Sequence, residues 1–267
     1  MQQILLTVTE RQTLKPALWQ MTLRGESLTP PPRPGQFYLA QCAGPGAPYL
    51  RRAIFPVCVP LPGDPGLQIL LPAGRIAADS GLAWLASRRP GERVDALGPL
   101  GRGFTLPPAA KNLLLAGSGP DVGPLLGLAH RAVEHHCNVI LALQTLRAAD
   151  LPPTRALPPA VEVQLATADG SRGHRGDILT QLEAAIRWAD AFFAVGDARF
   201  YRDFRRALAR TRLRLTANAA QALVADAPLN ICGTGVCGLC ATPTAQGTKL
   251  ACLHGPVFDL SILFADA

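Results

Sequence analysis

Short apolar runs separated by turn-forming segments make up the first hundred residues. Proline and glycine cluster between several of these runs, as in the Pro-Pro-Pro-Arg-Pro-Gly stretch at 30–35. Many short strands joined by Gly- and Pro-rich turns are typical of a small antiparallel β-barrel. A single helix is predicted in this part, at 80–87. We predict strands at 2–9, 17–23, 36–40, 53–59, 67–72 and 93–97.

A different pattern begins near residue 109, where apolar strands alternate with helical segments. The strands are predicted at 112–116, 138–144, 161–167 and 191–195, and the helices at 122–134, 176–188 and 198–210. This alternation implies a parallel sheet with crossover helices. The last residues are rich in glycine and cysteine and have little helical pattern. We therefore expect a multidomain β plus α/β chain, with a barrel domain at 1–108, an α/β domain at 109–222 and a small segment at 223–267.

The composition indicates a folded chain with a basic surface. Of the 267 residues, 48% are hydrophobic and 17% are charged, which excludes a disordered, solvated chain. The 26 Lys and Arg against 19 Asp and Glu give a net charge of +7, which suits nucleic acid, bound phosphates or an acidic protein. Aromatic residues are only 6% and do not interleave with a basic patch. Nucleic-acid binding is therefore disfavoured.

Targeting signals and common hydrolase motifs are not found in the sequence. No apolar run reaches the roughly 18–20 residues of a membrane span, and the first residues lack the pattern of a secretory signal. We expect a cytoplasmic protein without membrane contact, in which cysteines serve as thiols or metal ligands rather than disulfides. Gly-x-Ser-x-Gly, His-Glu-x-x-His and P-loop motifs do not occur.

Four of the seven cysteines lie in the C-terminal segment with the spacing C-x4-C-x2-C, followed after eleven residues by the fourth. They are Cys232, Cys237, Cys240 and Cys252. This spacing is typical of plant-type [2Fe–2S] ligation. Zinc is the main alternative, although zinc ribbons usually present two C-x2-C pairs, and a thiol or disulfide role is the other. Buried structural thiols are expected at the remaining cysteines, Cys42, Cys58 and Cys137.

Several segments together resemble a known family across nearly the whole chain. They lie at 34–37, 50–54, 98–104, 112–126, 169–171, 176 and 252–258, the last reading Cys-Leu-His-Gly-Pro-Val-Phe. With these segments and the cysteine spacing, the chain resembles the electron-transfer subunits of class 1B dihydroorotate dehydrogenases. That family belongs to the ferredoxin-reductase-like flavoproteins.

The resemblance implies a function in electron transfer. An N-terminal barrel would bind FAD, the α/β domain NAD(H), and the C-terminal segment a [2Fe–2S] cluster. The subunit would pass electrons between NAD+ and an FMN-containing catalytic subunit that oxidises dihydroorotate in pyrimidine biosynthesis, giving a heterotetramer. It would have no catalytic residues of its own, because the substrate is turned over by the partner. Such an assignment makes it an oxidoreductase component.

The residues implied by the resemblance fall into three groups. The residues that the resemblance assigns to flavin binding are Gln36, Arg52, Ala53, Ile54, Gly98 and Gly101. Those carried over to the nucleotide turn are Gly117 and Gly119, and the cluster ligands are the four cysteines of the C-terminal segment. Phe37 is implied to lie beside the flavin, and Arg52 to contact its diphosphate.

The chain departs from the family pattern at four positions. Phe55 stands where the family has a serine hydroxyl, and Pro120 and Asp121 replace residues of a Gly-rich turn that would approach a diphosphate. Asp197 replaces part of a Cys-Gly-Pro sequence, where it could instead cap the following helix. Two alternatives remain open. One is a related subunit of a hydrogenase or an NAD(P)H:ferredoxin oxidoreductase, and the other is a degenerate subunit that keeps only the cluster.

Overall fold

A computed structural model of the chain describes residues 2–25, 28, 31–43, 50–58, 66–155, 157–211, 219–225 and 232–263. Its strands and helices form three units in chain order: an antiparallel barrel, a parallel sheet flanked by helices, and a short hairpin unit. This is the predicted fold class. In the described part of the chain, helices are all too short or too polar to cross a membrane.

The N-terminal unit is a curled six-stranded antiparallel sheet. Its strands are β1 Gln2–Lys15, β2 Leu18–Arg24, β3 Phe37–Ala40, β4 Arg52–Ile54, β5 Gly66–Pro72 and β6 Arg93–Leu100. They are arranged in the order β4-β3-β6-β1-β2-β5. Just after β4, Pro56 bridges to Ile69 of β5, and the Val57 amide donates to the Gln68 carbonyl at 2.8 Å. These contacts join the two ends of the sheet, so the predicted barrel is confirmed.

Alternation of side chains along the strands produces the barrel core. In β6, every second residue is buried, because successive side chains of a strand point to opposite faces.

All six predicted strands are present, although β1 runs six residues further than predicted and β4 is shorter than predicted. Residue 59 of the predicted 53–59 strand lies outside the described residues. Two short helices follow β5, namely α1 Ala73–Ala78 and α2 Ser80–Ala86. The sequence predicted only the second, since Pro-Ala-Gly resembles a turn.

The central unit is a seven-stranded sheet with helices on its faces. Six of its strands are β7 Asn112–Ser118, β8 Asn138–Thr145, β9 Val161–Thr167, β10 His174–Arg175, β11 Ala191–Val195 and β12 Ala220–Leu223, and the seventh comes from the C-terminal unit. Its helices are α3 Gly123–Glu134, α4 Glu183–Trp188 and α5 Ala198–Thr211. The helix predicted at 176–188 is wrong as a single element. A 3-10 turn at Ile178–Gln181 ends at Leu182, and α4 begins only after it. The Asp177 side chain caps that turn, accepting a hydrogen bond from the Leu179 amide at 2.9 Å.

The C-terminal unit supplies the remaining elements. They are the hairpin β13 Ala241–Thr242 and β14 Lys249–Leu250, helix α6 Ala251–His254, and strand β15 Val257–Asp259. Strand β15 leaves the hairpin and pairs antiparallel with β12, so the sheet order is β10-β9-β8-β7-β11-β12-β15. The sequence did not predict β15. The other strand pairs of this sheet are parallel, as predicted.

Helix α3 packs directly against the barrel. A Cβ atom placed on Gly127 would overlap the Val57 carbonyl oxygen and lie 2.8 Å from Cys58 Cβ. On another side, Lys15 Nζ donates to the carbonyls of Ala148 and Leu151, both at 2.9 Å. The barrel and the α/β unit are therefore in direct contact at two places, and both contacts involve backbone atoms.

Candidate electron-transfer site

The hairpin of the C-terminal unit brings two of the four cysteines together. Cys240 immediately precedes β13 and Cys252 follows β14 within α6, so pairing of the two strands places both residues at the same end. The Ala251 amide donates to the Cys240 carbonyl at 2.9 Å. Both side chains are buried, and their Sγ atoms lie 3.2 Å apart.

The other two cysteines form a second, more exposed pair. Cys232 is half-buried and Cys237 is exposed. The Cys237 side chain hydrogen-bonds to the Cys232 thiolate, and the Thr234 amide donates to Cys232 Sγ at 3.4 Å. All four predicted ligands thus lie in one small unit, as two pairs. In the described part of the chain, three or more His, Cys, Asp or Glu side chains do not converge on a single metal-ion position.

The two cysteine pairs differ in acidity. Burial alone would raise the pKa of the Cys232 thiol, but hydrogen bonds from the Cys237 and Thr234 amides stabilise its thiolate and lower the pKa to about 6. Burial raises the pKa of Cys252 to about 12, and the hydrogen bond with Cys240 adds to the effect. The buried pair therefore needs positive charge nearby to ionise, which a bound metal ion would supply.

Close backbone approach docks the cysteine unit on the barrel. Gly233 has φ +68°, and a Cβ there would lie 2.7 Å from Leu100 Cδ1 and 3.1 Å from Leu39 Cδ1. Only glycine combines this conformation with this proximity without strain. At the other side of the unit, the Arg102 amide donates to the Gly255 carbonyl at 2.5 Å.

Three of the residues that the resemblance assigns to the flavin make close contacts within the protein. Gln36 donates through Nε2 to the Gly101 carbonyl at 3.0 Å and accepts from the Arg33 amide at 2.9 Å. Gly101 has φ +72°, and a Cβ there would lie 2.5 Å from Pro256 Cδ, which belongs to the cysteine unit. A Cβ on Gly98 would overlap the ring of Tyr38. These contacts position the barrel edge against the cysteine unit.

A shallow cleft lies between the barrel and the turn that precedes α3. The barrel contributes Ala53, Ile54 and Phe55 at the end of β4, together with residues of β5 and Arg75 of α1. The α/β unit contributes Pro120, Asp121, Gly123 and Pro124. The enclosed part of the cleft is only about 40 Å³, so its apolar wall offers an open surface for a planar ring rather than an enclosed pocket. The chemistry of this wall is compatible with the ring of a flavin.

Arg52 is bound to a neighbouring carboxylate. Its Nε donates to both oxygens of Asp79, at 2.8 and 2.7 Å. Asp79 also caps α2, since its Oδ1 accepts from the amides of Gly81 at 2.7 Å and Leu82 at 3.1 Å. Burial pushes the pKa of Asp79 upward, but the hydrogen bonds from Arg52 and the two amides outweigh burial and hold the pKa below its ordinary value. Sequence reasoning missed Asp79, although an Asp directly before a helical segment is an N-cap signal.

In the turn predicted to bind a nucleotide, the polar groups are largely paired with other groups of the protein. Gly117 is buried at the end of β7, and Gly119 has φ +87° with open space where a Cβ would be. The Gly119 amide, however, donates to the Gln144 carbonyl at 3.0 Å, and Pro120 has no amide hydrogen. Asp121 forms an ion pair at 2.5 Å with Arg75 of the barrel. The turn thus offers a diphosphate fewer donors than a Gly-rich turn would.

Asp197 caps α5, because its Oδ1 accepts from the Phe200 amide at 2.7 Å. Among the cysteines outside the C-terminal unit, Cys42 and Cys137 are buried as predicted, whereas Cys58 is half-buried.

Comparison with known proteins identifies the C-terminal unit. Residues 231–263 match the family described as the iron–sulfur cluster binding domain of dihydroorotate dehydrogenase B. This match confirms the iron–sulfur interpretation of the cysteine spacing.

Curated relatives extend the similarity over nearly the whole chain. The electron transfer subunit of dihydroorotate dehydrogenase B (NAD(+)) from Bacillus caldolyticus is 28% identical over 258 residues, which cover 95% of each chain. The protein with the same description from Desulforamulus reducens is 29% identical over 240 residues, 84% of each chain.

Solved structures with the same fold include two oxidoreductases. An NADH-dependent reduced ferredoxin-NADP oxidoreductase, studied for flavin-based electron bifurcation, superposes with a TM-score of 0.80 at 20% identity, covering 96% of this chain and 88% of its own. The ferredoxin reductase of carbazole 1,9a-dioxygenase gives a TM-score of 0.65 at 20% identity, covering 79% and 66%. These likenesses show a ferredoxin-reductase-like fold.

Proposed function

We propose, from the homology of this chain to the electron transfer subunits of dihydroorotate dehydrogenase B, that it carries electrons between NAD+ and a separate catalytic subunit. The catalytic subunit would contain FMN and oxidise dihydroorotate, and the assembly would be a heterotetramer. When bound, a flavin can exchange two electrons with a nicotinamide and single electrons with an iron–sulfur cluster. Seven free cysteines suit a reducing compartment, so the proposal includes a cytoplasmic location.

The observation that carries the proposal is the pairing of the four cysteines beside the barrel. A [2Fe–2S] cluster has two irons, each with two protein thiolates. Cys232 with Cys237 and Cys240 with Cys252 already form two such pairs, so we assign all four as ligands. The low pKa of Cys232 favours its ionised form before metal arrives.

A short series of contacts connects the cysteine unit to the cleft. Gly101, which approaches Pro256 of the cysteine unit, lies against the ring of Phe37. The Phe37 ring in turn contacts Phe55, with centroids 5.7 Å apart, and Phe55 lines the cleft. Two aromatic side chains therefore separate the two places where cofactors would lie. These residues hold the cofactor sites at a fixed spacing and exclude water between them.

An apolar rim around the exposed cysteine supports docking of a partner. We define this rim as Val236, Leu239 and Leu253, which are 87%, 46% and 46% exposed. Large apolar side chains clustered on a surface mark interaction sites. We propose that the catalytic subunit covers the rim, which would bring its FMN towards the exposed Cys237 side of the cluster.

Pigment analysis tests the cluster assignment. The anaerobically purified chain is expected to contain about two irons and two sulfides, and to give an electron paramagnetic resonance signal after reduction. Cys240→Ser should lower the iron content and change or abolish the signal, whereas Cys42→Ser, at a buried cysteine outside the unit, should keep both. Wild-type protein that remains free of iron after reconstitution with iron and sulfide would refute the proposal.

The partner is tested separately. Co-expression with a dihydroorotate-oxidising subunit should yield a complex that reduces NAD+ when dihydroorotate is supplied. Val236→Asp should weaken the complex while leaving iron content unchanged. Co-purification with a hydrogenase or ferredoxin-linked subunit instead would favour the related electron-transfer role.

The nucleotide turn favours a second candidate function. Because Asp121, Pro120 and the bonded Gly119 amide leave few donors for a diphosphate, the chain could serve as a relay that does not itself use NAD(H). An NADH–ferricyanide assay on protein of known flavin content distinguishes the two. Electron transfer from NADH supports the first function, and flavin- and iron-containing protein without this activity supports the relay.

A further inference from the structure

The pairing of Arg52 with Asp79 has a consequence for flavin affinity. Arginine is the side chain best suited to binding phosphate oxygens, because its planar guanidinium donates several hydrogen bonds in a fixed geometry. In this chain, Nε of Arg52 is directed at both oxygens of a carboxylate, and Nη1 donates to the Leu50 carbonyl at 2.6 Å. A phosphate that approached Arg52 would find its Nε already bonded to that carboxylate and would meet the carboxylate's negative charge.

Asp79 is held in this position by more than the arginine. Its Oδ1 accepts two amide hydrogens from the first turn of α2, so the carboxylate remains beside Arg52 even if the guanidinium turns away. Gly81 allows the arrangement, because a Cβ there would lie only 3.0 Å from both Nε and Cζ of Arg52. The carboxylate and the arginine are 31% and 24% exposed, so water and ions can still reach them.

We propose that Asp79 is an internal competitor for Arg52 and thereby weakens the binding of a flavin diphosphate to this chain. This inference rests on the flavin part of the proposed function. A dianionic ligand near Asp79 meets electrostatic repulsion and finds its arginine already paired, while the neutral ring of the flavin is unaffected. The site consequently discriminates against the phosphate-bearing part of FAD and leaves the ring cleft unchanged.

The variant Asp79→Asn tests the competition. Asparagine caps helices about as well as aspartate, so the hydrogen bonds from Gly81 and Leu82 are retained while the charge is lost. Equilibrium binding to apo-protein is measured by the change in flavin fluorescence, with FAD and with riboflavin, which has no phosphate. We expect Asp79→Asn to bind FAD about tenfold more tightly at low salt, equal to about 1.4 kcal/mol, and riboflavin unchanged.

Two controls accompany the measurement. Glu92 forms another ion pair in the barrel, with its Oε1 2.8 Å from Nη1 of Arg88. The variant Glu92→Gln removes one negative charge there and should leave FAD binding unchanged. In an Arg52→Gln background, the gain from Asp79→Asn should largely disappear, because the contested arginine is gone. High salt should also shrink the difference between wild type and Asp79→Asn, since exposed charges are screened.

The outcomes separate this inference from the proposed function. Tighter FAD binding by Asp79→Asn, without a change for riboflavin, supports the competition. Equal or weaker FAD binding by the variant, with a wild type that binds FAD, overturns the competition and leaves the proposed function standing. Failure of both proteins to bind FAD overturns the competition together with the flavin part of the proposed function, but not the cluster assignment.

Discussion

Replacing Gly127 by alanine is expected to separate the barrel from the α/β unit. Gly127 lies in the middle of α3, and a Cβ there would overlap the Val57 carbonyl oxygen and stand 2.8 Å from Cys58 Cβ. Ordinary van der Waals contact begins near 3.4 Å, so the Cys58 contact alone requires a shift of about 0.6 Å. The overlapping atom belongs to the backbone, which cannot rotate away as a side chain can.

The magnitude follows from two opposing effects. Alanine improves helix propensity by about 1 kcal/mol over glycine. Overpacking in a dense interior costs about 1–3 kcal/mol, and the upper part of that range applies because the contact is with backbone. The net expectation is a loss of about 2 kcal/mol, or about 4–8 °C in the melting temperature of a chain of this size.

Gly123→Ala in the same helix is the matched control. A Cβ at Gly123 would lie 3.4 Å from the nearest atom, Val57 Cγ2, so this change introduces no overlap. Thermal and urea denaturation of wild type and both variants provide the measurement, and hydrogen exchange at 53–58 reports separation of the units. A Gly127→Ala protein as stable as Gly123→Ala, with unchanged exchange at 53–58, would refute the reasoning.

Three further predictions concern other contacts. Tyr201→Phe should cost about 1–3 kcal/mol by denaturation, because the hydroxyl accepts from the Gly196 amide at 2.8 Å and donates to the Leu223 carbonyl. Tyr38→Phe should cost nothing, since the Tyr38 hydroxyl is buried without a partner among the described residues; equal losses would contradict the argument. Gly101→Ala should lower both the melting temperature and the iron retained per chain, whereas Gly91→Ala, which shares a positive φ but has no neighbour within 4 Å, should lower only the first. Because the pKa of Asp79 is lowered in the folded chain, its pairing stabilises the protein above the unfolded value near 3.9 and is lost as the pH falls through the folded value. The stability difference between wild type and Asp79→Asn should therefore be largest near neutral pH and vanish in acid, and a constant difference across the range would be inconsistent with it.

The sequence predicts the fold well where one local pattern decides the outcome. Strands β7 and β11 carry uninterrupted buried apolar runs, and such runs are typical of a parallel sheet covered by helices on both faces. The cysteine spacing is similarly informative, because three ligands of the cluster come from one short stretch and need no knowledge of tertiary structure.

The parts that could not be predicted depend on contacts between distant residues. The break before α4 depends on a cap at Asp177, and the pairing of Arg75 with Asp121 joins residues 46 positions apart. The sequence suggested that Asp121 places an isolated negative charge in the nucleotide turn, but its charge is paired with that of Arg75. Arg52 is present where the family pattern requires it, but its binding partner could be seen only once α2 was placed beside β4.

One edge of the α/β sheet is formed by β15, a strand that belongs to the cysteine-bearing tail. Its three residues pair with β12 only after the chain has passed through the hairpin and α6. Without the tail, β12 would present the unpaired backbone donors and acceptors of an exposed sheet edge, and β15 covers them. The segment that carries the cysteines therefore also protects the α/β sheet from pairing with another chain.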